Sequence, residues 1–379
     1  MISCGEASGD LYAGALVDEL RRREPDVRVF GFGGGRLAAS GAELIADYRG
    51  HTVTGLVEVI KQLPDTYRVY KSLVAAARAR KPDVFVAIDF PDFNFKLGQA
   101  VHALGVPVVY YVSPQLWAWR PGRLRTMTQF VDRVLPIFPF EEQVYRDAGI
   151  PVEFVGHPLI DLAKAGADRD TFLRGLGLDP SAPTVAVLPG SRPNELREIL
   201  PTLMAAARLI QQTIPAVQFV LARAPNLADS LLEPASAGGP LRVAIVDSRT
   251  DDVLAAADVV MTASGTATVQ TALHERPMVI VYRLSRLTYT VGRPFVKIDT
   301  FGMVNLVAGR KVAPELIQDD FTPERTAAEV VALLTDEAQR ARMTAALREV
   351  KEKLGGPGAS RRAAEAILRE VRARAAARG

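Results

Sequence analysis

The feature that most constrains the fold of this sequence is a repeated alternation of short apolar runs with amphipathic stretches. Apolar runs in the first half are Val84 to Ile88, Val106 to Val112 and Val131 to Leu135, and the amphipathic stretch Phe140 to Ala148 follows the last of them. Such alternation is typical of a parallel sheet with helices on both faces. The sequence therefore predicts an α/β fold.

The alternation restarts after residues 163–183, a stretch rich in Gly, Asp and Pro that is typical of a linker. The later apolar runs are Thr184 to Leu188, Val217 to Leu221, Val243 to Val246, Val259 to Thr262 and Met278 to Tyr282. A chain of 379 residues is long enough for more than one domain. We expect parallel α/β domains at 1–162 and 163–345, followed by a C-terminal helix at 346–379.

Composition excludes several classes of protein. A hydrophobic content of 48% with 23% charged residues excludes global disorder. The single cysteine, Cys4, excludes a disulfide scaffold, and the four scattered histidines form no metal-ligand pattern. Without a signal-peptide pattern or a run of about 18 apolar residues, we expect a cytoplasmic chain that does not span a membrane. A net charge of +3 suits a phosphate-rich ligand or an anionic membrane surface.

The apolar run Val84 to Ile88 ends on two acids and two aromatic residues, Asp89, Phe90, Asp92 and Phe93. Ligands of open α/β sheets bind at the carboxyl ends of the strands. An acid walled by aromatic rings at that place is a candidate general base. Asp89 or Asp92 could equally cap a helix that begins near Asn94.

Glycine-containing turns in the first half narrow the class of nucleotide site. In Gly5-Glu6-Ala7-Ser8-Gly9-Asp10, Ser8 is the predicted cap of a helix that has Asp10 in its first turn. No Gly-Lys-Ser/Thr follows, so this turn is not a P-loop. A second run, Gly33 to Gly35, is followed by Arg36 where a dinucleotide fingerprint requires glycine, which argues against a Rossmann dehydrogenase.

Two stretches suggest an amphiphilic ligand. The first is an apolar stripe at helical spacing with basic residues on its other faces and Pro64 predicted to break the helix in two; its members are Leu56, Val59, Ile60, Leu63, Tyr67, Tyr70 and Val74. This stripe is either an ordinary packed helix or a surface for anionic lipid. The second is Trp117-Ala118-Trp119-Arg120, which suggests a ligand with a phosphate; nucleic acid is not favoured, because no other signature accompanies it.

Two turns in the second half predict an anion site. Pro189-Gly190-Ser191-Arg192 offers backbone amides, a hydroxyl and a guanidinium group to one anion. In Ala263-Ser264-Gly265-Thr266-Ala267-Thr268, small residues leave the N-terminus of the following helix bare, and three hydroxyl groups lie nearby. Both turns follow predicted strands, so we expect one diphosphate bound from two sides.

The last part of the chain predicts a turn followed by helices. Gly302 to Leu306 is turn-like and carries the polar Asn305. Helical stretches follow from Pro323 to about Leu354 and from Gly358 to Arg378. Their arginines are most simply a solvated face, with membrane contact as the alternative.

Taken together, these motifs resemble those of the lipid-A-disaccharide synthase family. The matching residues, in the expected order from residue 5 to about 310, are Gly5 to Asp10, Asp83 to Val86, Ile88 to Asn94, Tyr111 to Pro114, Trp117 to Arg120, Leu188 to Arg192, Ala263 to Thr268, Pro277 to Val279, Asn305-Leu306 and Ala308 to Arg310. The resemblance implies two Rossmann-like domains facing a cleft (the GT-B type), with C-terminal helices packing back toward the N-terminal domain.

The resemblance also implies a reaction. A 2,3-diacylglucosamine unit is transferred from UDP-2,3-diacylglucosamine to 2,3-diacylglucosamine 1-phosphate (lipid X), giving a β-1,6-linked disaccharide phosphate and UDP. It implies inversion at the anomeric carbon, no metal, no cofactor and residence at the cytoplasmic face of the inner membrane. The stripe that contains Tyr67 then favours a peripheral-membrane role, and a homodimer is among the expected partners.

Site residues are carried over onto matching positions. The implied catalytic residues are Asp89 as general base, Glu6, and Arg192, which would offset charge on the leaving UDP. The implied donor-binding residues are Gly190, Ser191, Arg192, Ser264, Gly265, Thr266, Ala267, Thr268, Gln270 and Asn305. The implied acceptor-binding residues are Ser8, Asp92, Trp119 and Arg120, with Arg120 the candidate for the acceptor phosphate.

Two departures from the family pattern leave alternatives open. Gln270 stands where the family usually has Glu, so a charge-assisted pair to both ribose hydroxyls is lost. The first strand, Met1 to Cys4, is several residues short, so either the start lies upstream or the strand is clipped. The rival functions are another UDP-sugar glycosyltransferase or an epimerase of the same fold, and a non-catalytic nucleotide-sugar or membrane-binding protein.

Overall fold

The structure, a computed structural model, describes residues 1–48, 56–116, 122–225, 227–236, 241–284 and 300–378, with backbone only at 56–63, 236 and 377–378. The chain divides into two compact units. Unit 1 comprises Met1–Asp161 and Leu354–Gly379, and unit 2 comprises Leu162–Lys353. In the described ranges, no helix is both long and apolar enough to cross a membrane.

Strands and helices alternate along both units. The strands are β1 (Ile2–Cys4), β2 (Phe30–Gly33), β3 (Glu43–Asp47), β4 (Phe85–Ile88), β5 (Val108–Tyr111), β6 (Arg133–Leu135), β7 (Thr184–Leu188), β8 (Gln218–Arg223), β9 (Val243–Asp247), β10 (Val259–Ala263), β11 (Met278–Tyr282) and β12 (Glu315–Ile317). The described α-helices are α1 (Ala7–Arg23), α2 (Gly35–Ala39), α3 (Leu56–Arg80), α4 (Pro91–His102), α5 (Gly122–Met127), α6 (Pro139–Asp147), α7 (Leu159–Leu162), α8 (Arg169–Gly175), α9 (Pro193–Thr213), α10 (Glu233–Ser236), α11 (Thr250–Ala256), α12 (Thr266–Leu273), α13 (Met303–Ala308), α14 (Pro323–Thr335), α15 (Glu337–Lys353) and α16 (Ala359–Arg378). Short 3-10 turns lie at Asp229–Leu232 and Gln318–Asp320.

Each unit is built on a parallel sheet with the same strand order. The sheet of unit 1 runs β3-β2-β1-β4-β5-β6, and the sheet of unit 2 runs β12-β11-β10-β7-β8-β9. In both, the first strand of the unit lies beside the fourth, which is the doubly wound order of Rossmann-like domains. The predicted two-domain α/β fold is therefore confirmed.

The central strands were predictable because parallel sheets bury both faces. Every residue of β4, β5, β7 and β10 is buried, and these strands consist mainly of valine, isoleucine and other apolar residues. The outermost strands β3 and β12 were missed, since they carry acids and are partly exposed, as edge strands commonly are. The apolar stretch Val152 to Val155 could be expected to form a further strand, but the structure has only an isolated bridge there, between Val152 and Val134.

The first helix begins at a different residue from the predicted one. Glu6, not Ser8, is the N-cap of α1. Asp10 is buried, and its carboxylate accepts hydrogen bonds from the amides of Gly34 (2.7 Å), Arg36 (2.9 Å) and Leu37 (3.1 Å). Asp10 thus caps α2 from another helix, and it occupies the Gly34 amide of the glycine run.

Three other local predictions are corrected. The helix α3 is continuous through Pro64, which does not break it in two. The predicted turn at Gly302 to Leu306 is the start of α13, with Gly302 as its N-cap. The long helical stretch after Pro323 is divided into α14 and α15 at Asp336.

The C-terminal helix α16 packs against α1 within unit 1. Its arginines form ion pairs with acids of the same unit. The pairs are Arg369 with Glu153 (2.7 Å), Arg372 with Glu24 (2.6 Å), and Arg374 with Asp132. These ion pairs connect α16 to the N-terminal part of unit 1. The expectation that the C-terminal end of the chain packs back on the N-terminal domain is confirmed.

One prediction concerns His157, which is 1% exposed and accepts a hydrogen bond from the Leu159 amide at Nδ1 (3.2 Å). Burial lowers the pKa of His157 to about 3 from 6.5. Between these two values the unfolded chain binds a proton that the folded chain does not, so His157 destabilises the fold as pH falls below about 6.5.

We expect His157→Asn, which keeps an acceptor near the Leu159 amide, to be free of this loss of stability at acid pH. Denaturant unfolding of wild type and variant between pH 7 and 4 measures the difference in their free energies of unfolding. The stability of wild type relative to the variant should fall by about 1.4 kcal/mol per pH unit. Parallel curves for the two proteins would contradict the neutral, buried state of the ring.

Candidate active site

The first group of predicted site residues lies at the carboxyl edge of the unit 1 sheet. Cys4 at the end of β1 is paired with Ile88 at the end of β4, so Glu6 and Asp89 follow neighbouring strands. The strand order reverses between these two strands, which is the position where open α/β sheets bind ligands. The topology therefore brings Glu6 and Asp89 to one edge of the sheet.

The backbone at Asp89 is unusual. Asp89 and Phe90 both have left-handed conformations, with φ of +47° and +48°. Each non-glycine residue in this region costs about 1–3 kcal/mol. The turn places the Phe90 ring where a side chain at residue 5 would lie, because a Cβ added to Gly5 would be 2.3 Å from that ring. Gly5 therefore lets the ends of β1 and β4 pack together.

Buried polar groups hold the Asp89 peptide carbonyl in this turn. The carbonyl accepts hydrogen bonds from the Tyr110 hydroxyl (2.8 Å) and from Asn94 Nδ2 (2.8 Å). Asn94 Oδ1 in turn accepts from the Ser3 hydroxyl (2.6 Å). Burial, and next the charge of Asp89, raise the pKa of Tyr110 well above its usual range, so its hydroxyl remains a donor.

The two acids of this stretch have different surroundings. Asp89 is half-buried at the strand end, whereas Asp92 is exposed in the first turn of α4 and pairs with Arg123 Nη1 at 2.6 Å. Neither acid caps the helix, since its N-cap is Phe90, so that reading of the sequence is wrong. The Phe90 and Phe93 rings, which follow Asp89 in the chain, pack against each other with centroids 5.4 Å apart.

Of the predicted acceptor residues, the structure describes two. Ser8 is half-buried in the first turn of α1, beside the N-cap Glu6, and Asp92 is described above. Trp119 and Arg120 lie outside the described residues.

The second group lies at the equivalent edge of the unit 2 sheet. Leu188 at the end of β7 is paired with Thr262 of β10, and the strand order again reverses between these strands. The turn Gly190 to Arg192 and the turn at Ser264 to Thr268 follow these neighbouring strands. Unit 2 therefore brings both predicted phosphate-binding turns to one place.

The first of these turns carries its own anion. Glu195, in the first turn of α9, accepts hydrogen bonds from the amides of Ser191 (3.0 Å) and Arg192 (3.2 Å) and from Arg192 Nη1 (3.2 Å). Gly190 has φ of +118°, and a Cβ there would lie 2.5 Å from the Glu195 carboxylate. The expectation that these amides are free is therefore wrong, and a phosphate at this turn would have to compete with Glu195.

At the second turn, no side chain of the described residues caps the helix in this way. The N-cap of α12 is Gly265, with φ of +143°, and no described atom lies within 4 Å of the position of its missing Cβ. The first amides of a helix have no acceptor within it and attract anions. The hydroxyls of Ser264 and Thr268 donate to the carbonyls of Phe301 (2.9 Å) and Gly265 (2.8 Å), while Thr266 is exposed.

Gln270, one turn further along α12, belongs to a small polar cluster. Its Nε2 donates to Asp251 Oδ1 at 2.8 Å, and His274 Nε2 lies 2.8 Å from the same oxygen. The amide is half-buried, and its donor side faces the carboxylate. Because the donor is engaged, the Gln270 carbonyl oxygen is the group that can accept a hydrogen bond from a ligand.

Asn305 is 2% exposed and organises the segment after α13. Its Oδ1 accepts from the amides of Val312 (2.7 Å) and Ala313 (2.9 Å). Its Nδ2 donates to the Ala313 carbonyl (2.9 Å) and to Glu315 Oε1 (2.6 Å). The side chain thus has its full set of four hydrogen bonds. The predicted contact between Asn305 and the UDP-sugar would have to replace one of them.

A family model described as lipid-A-disaccharide synthetase matches residues 1–371. The chain belongs to the lipid-A-disaccharide synthetase family. A lipid-A-disaccharide synthase of Myxococcus xanthus (strain DK1622) is 44% identical over 368 residues, which are 97% of this chain and 96% of that protein.

Solved structures with this fold include nucleotide-sugar enzymes. A putative UDP-N-acetylglucosamine 2-epimerase from Listeria monocytogenes has a TM-score of 0.66 at 16% identity, covering 97% of this chain and 95% of that one. The glycotransferase of kitacinnamycin has a TM-score of 0.64 at 20% identity, covering 97% and 98%. At these identities the likeness shows the fold alone.

As a member of the lipid-A-disaccharide synthetase family, the chain is an enzyme of lipid A biosynthesis, a glycosyltransferase with two Rossmann-like domains. The predicted family, fold and type of enzyme are confirmed. The roles of the individual site residues stay predictions.

Four residues that the sequence did not single out are central to the site's geometry. Tyr110 and Asn94 hold the Asp89 carbonyl, Glu195 occupies the turn at Arg192, and Asp251 binds Gln270. Tyr110 and Asp251 contact residues far along the chain, so no local spacing marks them. Glu195 lies three residues after the N-cap Arg192, which is the spacing of a capping box and the signal that could have found it.

The Gln270 cluster yields a prediction about stability. We expect Gln270→Glu to lower the free energy of unfolding by about 1–3 kcal/mol, because a second carboxylate replaces the donor to Asp251. In an Asp251→Asn background, Gln270→Glu should lower the free energy of unfolding much less. The amide introduced at 251 can donate to the carboxylate introduced at 270. Denaturant unfolding of the four proteins at pH 8 measures this coupling.

The matched control is Gln143→Glu, since Gln143 donates to Asp147 at 2.6 Å on the exposed face of α6. There water screens the repulsion, and the expected loss is about 0.5 kcal/mol or less. An equal loss from Gln270→Glu in both Asp251 backgrounds would contradict the direct contact.

Proposed function

We propose that this enzyme transfers 2,3-diacylglucosamine from UDP to the 6-hydroxyl of 2,3-diacylglucosamine 1-phosphate, with Asp89 as general base. The observation that carries the proposal is the location of Asp89, half-buried beside an aromatic wall at the reversal of strand order in unit 1. The matching reversal in unit 2 carries the N-terminus of α12, whose N-cap is Gly265, and beside it the turn that contains Arg192. Family membership supplies the type of reaction.

In this proposal Asp89 accepts the proton of the acceptor 6-hydroxyl as the oxygen attacks the anomeric carbon of the donor. A carbon–oxygen bond forms to the acceptor, and the bond from that carbon to the UDP oxygen breaks. The electron pair leaves with UDP, and attack opposite the leaving group inverts the anomeric carbon. Glu6, at the same sheet edge as Asp89, is the second proposed catalytic residue.

Charge that develops on UDP is proposed to be offset by unit 2. The N-cap of α12 is Gly265, which has no capping side chain, so the first amides of the helix, those of Thr266 and Ala267, and the helix dipole favour a phosphate there. Arg192 supplies a cation at the neighbouring turn. Gln270 accepts a hydrogen bond from one ribose hydroxyl through its carbonyl oxygen, while Asn305 shapes the adjacent segment.

The acyl chains of the substrates require an apolar surface, and unit 1 carries one. Aromatic rings run from Phe90 through Phe93 and Tyr70 to Tyr67, with successive centroids 5.4, 6.5 and 6.2 Å apart. The last three line a groove of about 510 Å³ that Lys96 borders. We place one acyl chain of the acceptor in this groove, with its sugar toward Asp89.

The same surface is the proposed membrane contact. Tyr67 is 56% exposed, and Lys71 Nζ lies 4.6 Å from the centre of its ring, so an aromatic group and a cation are presented together. Such pairs suit the interface of an anionic bilayer. Attachment to the inner face of the inner membrane, acceptor contacts from Trp119 and Arg120, and a homodimer remain part of the proposal.

The direct test is UDP release with acylated donor and acceptor. We expect Asp89→Asn to lower kcat about 10²- to 10⁴-fold, because the amide cannot accept the proton. Asp92→Asn is the matched comparison three residues away, and we expect it to raise the acceptor KM and to leave kcat within a few-fold of wild type, since Asp92 pairs with Arg123.

Wild-type kcat in Asp89→Asn would exclude this base. A wild-type protein that binds UDP yet releases none from these substrates would favour the binding-protein alternative. Product formation from UDP-N-acetylglucosamine without acceptor would favour an epimerase.

The membrane contact has its own test. We expect Tyr67→Ser to lower binding to anionic phospholipid vesicles about 10-fold, because the change removes an exposed aromatic ring that would be buried in the membrane interface on binding. Ile245→Ser is the control, since Ile245 is an exposed apolar residue of unit 2, 37% accessible. Equal binding by the two variants in vesicle sedimentation would exclude the Tyr67 surface.

A further inference from the structure

We propose that Tyr110 and Asn94 are positioning residues for Asp89, and that they act by fixing its peptide carbonyl. The inference rests on the proposed function only in taking Asp89 as the base. The observation behind it is the backbone at the end of β4, where two consecutive non-glycine residues are left-handed.

Such a turn does not persist without support, because left-handed conformations of bulky residues are unfavourable. In a relaxed chain Asp89 and Phe90 would return to right-handed or extended conformations, and the Asp89 side chain would change direction. The observed turn orients the Asp89 carbonyl toward Tyr110 and Asn94, both fully buried. Two donors on a single carbonyl oxygen therefore select this backbone conformation.

The orientation of Asn94 is itself determined. Its Oδ1 accepts from the Ser3 hydroxyl of β1 at 2.6 Å, which places Nδ2 near the carbonyls of Ile88 (3.2 Å) and Asp89 (2.8 Å). Tyr110 reaches the same carbonyl from the opposite neighbour, β5. The strands on either side of β4 thus contribute to one turn.

The consequence for catalysis is geometric. A general base must lie within about 2.6–3.2 Å of the proton it removes, and its direction follows the Cα–Cβ bond of its own residue. A change in the Asp89 φ rotates that bond relative to the sheet. Loss of a carbonyl partner therefore lowers activity without removing any group that touches substrate.

The experiment is a double-mutant cycle of Tyr110→Phe and Asp89→Asn, measured by UDP release. Tyr110→Phe keeps the ring and removes the donor, and we expect it to lower kcat about 10- to 100-fold with little change in donor KM. In the Asp89→Asn background it should change the residual rate by about 2-fold or less, because the base it positions is already absent.

Tyr111→Phe is the matched control in the same strand. Tyr111 is equally buried, and its side chain points to the opposite face of the sheet, away from Asp89. We expect it to leave kcat near wild type. Thermal unfolding of both variants checks that the fold is retained.

Ser3→Ala is a second route that leaves Asn94 and Tyr110 in place. It removes the donor that orients Asn94, and we expect an intermediate kcat, with a change of about 2-fold or less in the Asp89→Asn background. If Tyr110→Phe lowers the rate equally in the wild-type and Asp89→Asn backgrounds, the effect is a general structural defect. The positioning role of Tyr110 is then excluded, while the proposed role of Asp89 as base is unaffected. Full activity of Asp89→Asn overturns the proposed base and the inference together.

Discussion

The reversal of strand order at the centre of each sheet is the constraint on which the site depends. Right-handed connections carry the chain one way from β1 and the other way from β4, so the two following helices lie on opposite faces of the sheet. A crevice remains at the carboxyl edge between them. Because unit 2 repeats this order at β7 and β10, the same topology brings two acids to one edge of the sheet in unit 1 and the two predicted phosphate-binding turns to one edge in unit 2.

A helix N-terminus can bind a ligand anion only where no carboxylate of the protein already occupies its amides. Asp10 accepts from the first amides of α2, and Glu195 accepts from the amides at the start of α9. At α12 the N-cap is Gly265, which has no side chain to offer. Similar small-residue turns in the sequence therefore have different capacities, and the bare end of α12 is the strongest candidate for the phosphate.

The sequence predicted the central strands and the residues at their ends, because these depend on burial and on order along the chain. The central strands are apolar because both faces are covered, so their ends, and hence Asp89, Arg192 and Ser264 to Thr268, could be located. The helix caps could not, because Ser8 and Asp92 have the residue types of caps while the backbone places Glu6 and Phe90 at those positions. Likewise, Pro64 lies within a continuous α3 despite lacking a backbone donor.

The contacts that orient the site residues could not be predicted from the sequence for a related reason. Tyr110 is 21 residues from Asp89, and Asp251 is 19 residues from Gln270. Pairings of this kind follow from strand order, which the sequence did not reveal.

The cluster at Gln270 shows how such a pairing alters the meaning of a substitution. Viewed alone, an amide in place of a carboxylate removes a negative charge from the ribose side of the site. In the structure, Asp251 of α11 places a carboxylate next to Gln270, and it engages the amide donor, leaving the carbonyl oxygen to accept. A carboxylate introduced at 270 would face Asp251 directly. The departure from the family pattern is therefore better understood as a property of the pair than of Gln270 by itself.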